Sequence, residues 1–239
     1  MARLIDRLRA AGFDLDGTLI DTAPDLGAAA NATLAELGLT LLPEARFPRL
    51  VGGGIAILVE RALTESLGHP PEPALRGKAL ERFRENYAAR LFERSRVYPG
   101  VIEGLGRLRE AGLALCCITN KHSRFALPLL EAAGLASLFD FTLCADEPAR
   151  RKPEPAMLLD ACARFGIAPA RMLYVGDSRT DVLAARAAGC PVAAVDYGYD
   201  AELGNGEPQP DAFITSLAVI AELGADPAAD AARIRAPQR

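Results

Sequence analysis

From about residue 98 onward the chain alternates short apolar runs with helical stretches, and no other feature constrains its fold as strongly. The runs are Leu113–Ile118, Phe141–Cys144, Met172–Val175 and Val192–Val195. Between them Val101, Leu105 and Leu108 fall at helical spacing before Gly112, and Val182, Ala185 and Ala188 do so before Gly189, giving each helix an apolar stripe and a glycine stop. Strands alternating with helices predict a parallel sheet covered on both faces. A short strand near Ala11–Asp14, interrupted by Arg9 and Gly12, and another near Ala212–Ile214 complete the set. The expected class is α/β, with a Rossmann-like parallel sheet core and helices on both faces.

Residues 24–96 have a different character. Helical periodicity runs through Asp25–Leu37, Ile55–Leu67 and Leu75–Phe92, no run reads as a strand, and Pro43, Pro48, Gly52–Gly54 and Pro70–Pro73 divide the helices. Pro99-Gly100 marks the return to alternation. The organisation expected is a core of residues 1–22 and 97–239 with an all-helical cap, 23–96, inserted into it. The C-terminal stretch ADPAADAARIRAPQR lacks core-forming periodicity and is expected to fray.

Half the residues are hydrophobic and a quarter charged, enough to bury a core without metal or disulfide staples. The 27 basic residues are scattered against 31 acidic ones and form no stripe able to neutralise successive phosphates, which disfavours nucleic acid as a partner. Charges in MARLIDRLRA interrupt what would be the apolar stretch of a signal peptide. No segment is long and uncharged enough to span a bilayer, so no membrane role is expected and the cytoplasm is the default location. Five cysteines contain no C-x-x-C pair and three lie in apolar runs, so buried free thiols are expected. With only His69 and His122 beside them, a zinc site lacks its usual ligands. Gly52-Gly53-Gly54 has neither the lysine and hydroxyl of a P-loop nor the spaced glycines of a dinucleotide fingerprint, and reads as a cap loop.

The chemistry concentrates in FDLDGTLIDT. Asp14 and Asp16, two apart at the end of a strand, place both carboxylates on one side of extended chain, with Gly17 directly after. Neighbouring acids can be driven to different protonation states, one a nucleophile and the other a proton donor. A D-x-D-G turn is the bland alternative. Three further polar clusters, Thr119-Asn120, Lys152-Pro153 and GDSRTD over 176–181, each follow a strand-like run. In open parallel sheets ligands bind at the carboxyl ends of the strands, so these loops should converge. Carboxylates, a hydroxyl and an ammonium together suit a phosphate and a hard divalent cation such as Mg2+.

FDLDGTLIDT, ITN, RKPEP and VGDSRTD, in that order and spanning essentially the whole chain, resemble the four motifs of the haloacid dehalogenase superfamily. The resemblance implies Asp14 as nucleophile and Asp16 as general acid and base. It implies that Thr119, Asn120 and Lys152 bind the substrate phosphate. Mg2+ would be held by Asp14, Asp177 and the main-chain carbonyl of Asp16, with Gly17 and Asp181 in support. It also implies the parallel α/β core with a helical cap after the first motif. RLVGGGIAILVERAL, GDSRTDVLAARAAG and VDYGYD are similar to bacterial phosphoglycolate phosphatases. Phosphatases acting on sugar phosphates, N-acetylmuramic acid 6-phosphate or pyrophosphate share much of this pattern, and a phosphomutase or a non-catalytic binding module on the same scaffold stays open. The partner expected is a small-molecule phosphate ester, the assembly a monomer or homodimer. Arg49, ahead of the glycine run and of the helix at Ile55, is expected to recognise a substrate carboxylate. Lys121 and Arg179 are expected to be solvated or to make peripheral substrate contacts, and His122 to lie outside the catalytic set.

Overall fold

A computed structural model describes residues 7–200, 203 and 208–222. The C-terminal stretch expected to fray lies outside the described residues, as does most of the charged N-terminal segment.

The chain opens with β1 (Ala10–Phe13), then a two-residue strand β2 (Ile20–Asp21) and four helices, α1 (Ala23–Glu36), α2 (Phe47–Leu50), α3 (Ile55–Leu67) and α4 (Pro73–Ala88). A second two-residue strand, β3 (Arg96–Val97), leads into α5 (Val101–Glu110), β4 (Ala114–Thr119), α6 (Ser123–Ala132) and β5 (Phe141–Cys144). The rest runs through α7 (Ala156–Phe165), β6 (Met172–Gly176), α8 (Arg179–Ala188), β7 (Val192–Val195) and β8 (Ala212–Ile214). Six strands form one sheet in the order β5-β4-β1-β6-β7-β8, every neighbouring pair parallel. The fold is the expected Rossmann-like one.

Alternation along the strands builds the two faces. Phe13, Leu115, Cys117, Leu173 and Val175 point to one side, where α5 and α6 add Leu105, Leu108 and Leu129. Cys116, Ile118, Met172, Tyr174 and Val192 point to the other, against Met157 and Leu158 of α7 and Val182 and Ala185 of α8. Gly12 interrupts the apolar pattern of β1 for a packing reason. A Cβ there would stand 3.2 Å from both Ile118 and Tyr174, side chains that close over the strand from either side.

The four helices from α1 to α4 have an apolar cluster of their own, built from Leu26, Leu34, Phe47, Leu63, Phe83 and Tyr87. Phe125 of α6 joins that cluster, its ring 5.2 Å from that of Tyr87. The sequence gives no hint of strand near the ends of this helical stretch, yet β2 and β3 pair antiparallel, Ile20 with Val97 and Asp21 with Arg96. Two residues cannot display a period, and this pairing is a correction to the all-helical reading there. A buried carboxylate fastens the same junction. Asp25, at the start of α1, accepts from the Arg94 N–H (2.7 Å), the Ser95 N–H (2.9 Å) and the Ser95 hydroxyl (2.5 Å).

Candidate active site

The strand order places the sheet's topological switch at β1, because the chain moves from β1 outward through β4 and β5 and then returns to β6 on the other side. A crevice at the carboxyl ends of β1, β4 and β6 follows from that order. A cavity of about 950 Å3 lies there, with Asp14, Thr119, Lys152 and Asp177 in its floor and Arg49, Gly54 and Arg61 from the helical side. All four sequence motifs therefore reach one place.

Lys152 is the hub. Its buried Nζ lies 2.8 Å from Asp14 Oδ1 and 2.7 Å from Asp181 Oδ1, and it also donates to the Tyr174 hydroxyl (2.8 Å) and the Ile118 carbonyl (3.1 Å). Burial alone would lower its pKa, but Asp14 and Asp181 outweigh that and hold the ammonium above its ordinary range. The loop that carries it is fixed by Asn120, whose side-chain amide accepts from the Lys152 N–H (2.8 Å) and donates to the Lys152 carbonyl (2.9 Å). The Asn120 side chain thus holds Lys152 in place rather than facing the cavity with a free amide. The Lys152-Pro153 bond is cis.

Asp181 occupies the third position of α8 and closes a capping box with Ser178. Its Oδ2 accepts from the Ser178 N–H (3.1 Å) and hydroxyl (2.6 Å) while its Oδ1 faces Lys152. One helix cap thereby aligns the lysine that meets Asp14.

Asp14, Asp177 and Asp181 offer carboxylate oxygens within 4.8 Å of one another. Burial raises Asp14 from 3.8 to about 7, with Lys152 opposing and Asp181 and Asp16 adding to the rise. Burial also raises Asp177 well above its usual value, helped by Asp181 and Asp14 and opposed by the Tyr199 N–H and Lys152. This cluster of two buried acids and the partly buried Asp14, with no histidine or thiolate among them, forms an oxygen-only donor set that suits a hard divalent cation. Asp181 gives Oδ1 to Lys152 (2.7 Å) and Oδ2 to Ser178, whereas Asp177 Oδ1 accepts only a long bond, 3.5 Å, from the Thr18 hydroxyl, so Asp14 and Asp177 are the side chains best able to turn to such an ion.

Gly17 is required where it stands. Its φ is +84°, and a Cβ would run into the Asp177 carboxylate and the Tyr199 ring. Tyr199, after β7, is a residue that the sequence did not single out although it lies in the quoted VDYGYD. Its N–H donates to Asp177 Oδ2 (2.8 Å), its hydroxyl donates to Asp21 Oδ1 (2.8 Å), and that hydroxyl accepts the N–H groups of Thr22 (2.6 Å) and Ala23 (2.9 Å). It joins an acid of the site to the start of α1.

Asp16 is held apart from the acidic cluster. Its Oδ1 accepts from the Thr22 hydroxyl (2.6 Å) and from Lys121 Nζ (2.8 Å), and its Oδ2 accepts from the same ammonium at 3.1 Å. Lys121 is only 4% exposed, which corrects the expectation of a solvated side chain. A lone lysine after a Thr-Asn turn carries no sign in the sequence that a carboxylate waits beside it. Arg151, next to Lys152, lines the cavity and was likewise not singled out, whereas Arg49 is exposed at the rim. His122 caps α6 by accepting the Arg124 N–H (3.1 Å). The five cysteines are free, four of them buried and Cys144 half-buried.

The parallel sheet, the crevice at its switch point and the four converging motifs define a class, and the chain belongs to the haloacid dehalogenase-like hydrolases, whose family model matches residues 8–189. Within that class it is 46% identical to a phosphoglycolate phosphatase of Nitrosospira multiformis, over 88% of this chain and 92% of that one. It is 43% identical to a phosphoglycolate phosphatase of Thiobacillus denitrificans, over 90% and 94%. The crystal structure of a predicted phosphoglycolate phosphatase from Haemophilus somnus superposes with a TM-score of 0.81 at 30% identity, over 90% of this chain and 97% of that one.

Proposed function

We propose that this protein is a magnesium-dependent phosphatase that hydrolyses 2-phosphoglycolate to glycolate and phosphate through a phosphoaspartate at Asp14. The observation that carries the reading is the buried contact of Asp14 with Lys152, itself braced by Asp181, in the floor of a large cavity. Similarity to phosphoglycolate phosphatases over 88–90% of this chain supports the substrate.

In this mechanism Asp14 attacks phosphorus in line as the ester bond breaks, and Asp16 passes its proton to the departing oxygen. Asp16, now ionised, takes a proton from water as that water attacks the aspartyl phosphate and frees Asp14. Lys152 and the Thr119 hydroxyl bind the phosphoryl oxygens and spread their charge. Asp14, Asp177 and the main-chain carbonyl of Asp16 would hold Mg2+, which supplies positive charge against the two anions that must approach. The helical layer of residues 23–96 acts as the cap, with Arg49 and the glycine run facing the substrate carboxylate.

No magnesium in the assay, or a chelator present, should abolish phosphate release, and a panel of small phosphate esters should place 2-phosphoglycolate above sugar phosphates in kcat/KM. A charge-assisted hydrogen bond is worth about 1.5–3 kcal/mol, so Arg49→Ala should lower kcat/KM on phosphoglycolate roughly 10- to 150-fold while sparing an aryl phosphate that carries no carboxylate. Equal losses on both esters would remove Arg49 from carboxylate recognition. Full turnover in chelator would end the magnesium reading.

A further inference from the structure

We infer that Lys121 is the residue that positions Asp16 for proton transfer, and that Tyr87 of the helical layer braces it there. The inference rests on the reading of Asp16 as the acid and base.

Asp16 has two inequivalent oxygens. Oδ1 takes two donors, the Thr22 hydroxyl at 2.6 Å and Lys121 at 2.8 Å, whereas Oδ2, among the described residues, takes Lys121 alone at 3.1 Å. A carboxylate oxygen with two short donors has little lone-pair capacity left, so Oδ2 is the oxygen free to exchange a proton. In the first step the Oδ2 proton goes to the leaving oxygen as its bond to phosphorus breaks and the bond from Asp14 forms. In the second, Oδ2 recovers a proton from water as the water oxygen bonds phosphorus and the Asp14 bond breaks. Lys121 and Thr22 fix the rotation of the carboxylate that puts Oδ2 in this role.

The ammonium is itself held. Lys121 follows the Thr119-Asn120 turn, with its N–H donating to the Thr119 hydroxyl oxygen at 3.1 Å. Its Nζ lies 4.9 Å from the centroid of the fully buried Tyr87 ring in α4. A cation over an aromatic face is attracted to it, more so away from water. Tyr87 in turn packs on Phe125 of α6 and on Phe83, so the brace is part of the apolar cluster of the helical layer. Burial keeps its hydroxyl protonated, with a pKa pushed up to about 12, so the ring stays neutral beside the cation.

Single-turnover kinetics with enzyme in excess separate this role from a structural or phosphate-binding one. With p-nitrophenyl phosphate the leaving group needs no proton, so nitrophenolate release reports attack by Asp14 alone and phosphate release reports the hydrolysis that Asp16 assists. Lys121→Met keeps the length of the stem and removes the charge. It should leave nitrophenolate release within about 3-fold of the parent and slow phosphate release by about 10- to 100-fold, the range expected for a displaced proton-transfer group. On 2-phosphoglycolate, glycolate release should slow to the same degree. Should Lys121→Met fail to fold, Tyr87→Leu, which keeps the ammonium and removes its brace, should show the same split at about 3- to 10-fold. Equal slowing of both releases, a change confined to KM, or no change in either overturns the inference. A parent enzyme that releases neither product would fail the phosphatase reading instead.

Discussion

Replacing Lys152 with methionine removes one ammonium from between two carboxylates. Asp14 and Asp181 would then face each other and the Tyr174 hydroxyl in a buried site, with no cation at 2.8 and 2.7 Å. Breaking a buried pair typically costs about 3–5 kcal/mol, and a lysine that serves two acids belongs at the upper end. Against a total stability of roughly 5–15 kcal/mol that loss is large but survivable. It should also depend on pH. Burial already raises Asp14 from 3.8 to about 7, so between those values the native state keeps a proton that the unfolded chain has released. Stability therefore falls as pH rises through that window. Without the ammonium, which opposes the rise, Asp14 moves further up, and the cost of Lys152→Met should be smaller at pH 5, where the acid is neutral, than at pH 8. Urea unfolding in chelator at both pH values measures this. Adding Asp181→Leu should recover part of the loss, because an apolar pair tolerates burial. A loss under about 1 kcal/mol at pH 8, the scale of an exposed pair, or a larger loss at pH 5, would refute the reasoning.

Two other substitutions test the framework around the site. Gly17→Ala should push Asp177 aside and, besides straining a residue at φ +84°, lower activity by at least about 10-fold with a raised magnesium requirement; a magnesium titration unchanged from the parent would count against Asp177 as a ligand. Tyr199→Phe takes the acceptor from the Thr22 N–H and leaves the Ala23 N–H only its longer bond to Asp21 Oδ1 (3.3 Å), and should cost about 1–3 kcal/mol in urea unfolding; a loss within error would mean that water replaces the hydroxyl.

The sheet was legible because its strands are buried on both faces and so read as unbroken apolar runs such as Leu113–Ile118, each followed by a helix with its own stripe. The motif residues were legible for a related reason, since a parallel sheet gathers whatever follows its strands. Four features were hidden. The β2–β3 pairing is too short to show a period, and Gly12 looks like an interruption until Ile118 and Tyr174 are seen to need the space. The burial of Lys121 depends on Asp16, more than a hundred residues away, and on Tyr87 of another helix. No local pattern encodes that meeting. Tyr199 was hidden likewise, because its partners Asp21 and Asp177 lie on two different loops.

The central claim is that phosphate passes through Asp14. Rapid quench of the magnesium-loaded enzyme with radiolabelled 2-phosphoglycolate, followed by peptide mapping, tests it directly. The account predicts an acid-stable label on the peptide that carries Asp14, and neither label nor turnover in the folded Asp14→Asn variant. Phosphate release with no labelled peptide at any time, together with turnover retained in Asp14→Asn, would contradict it.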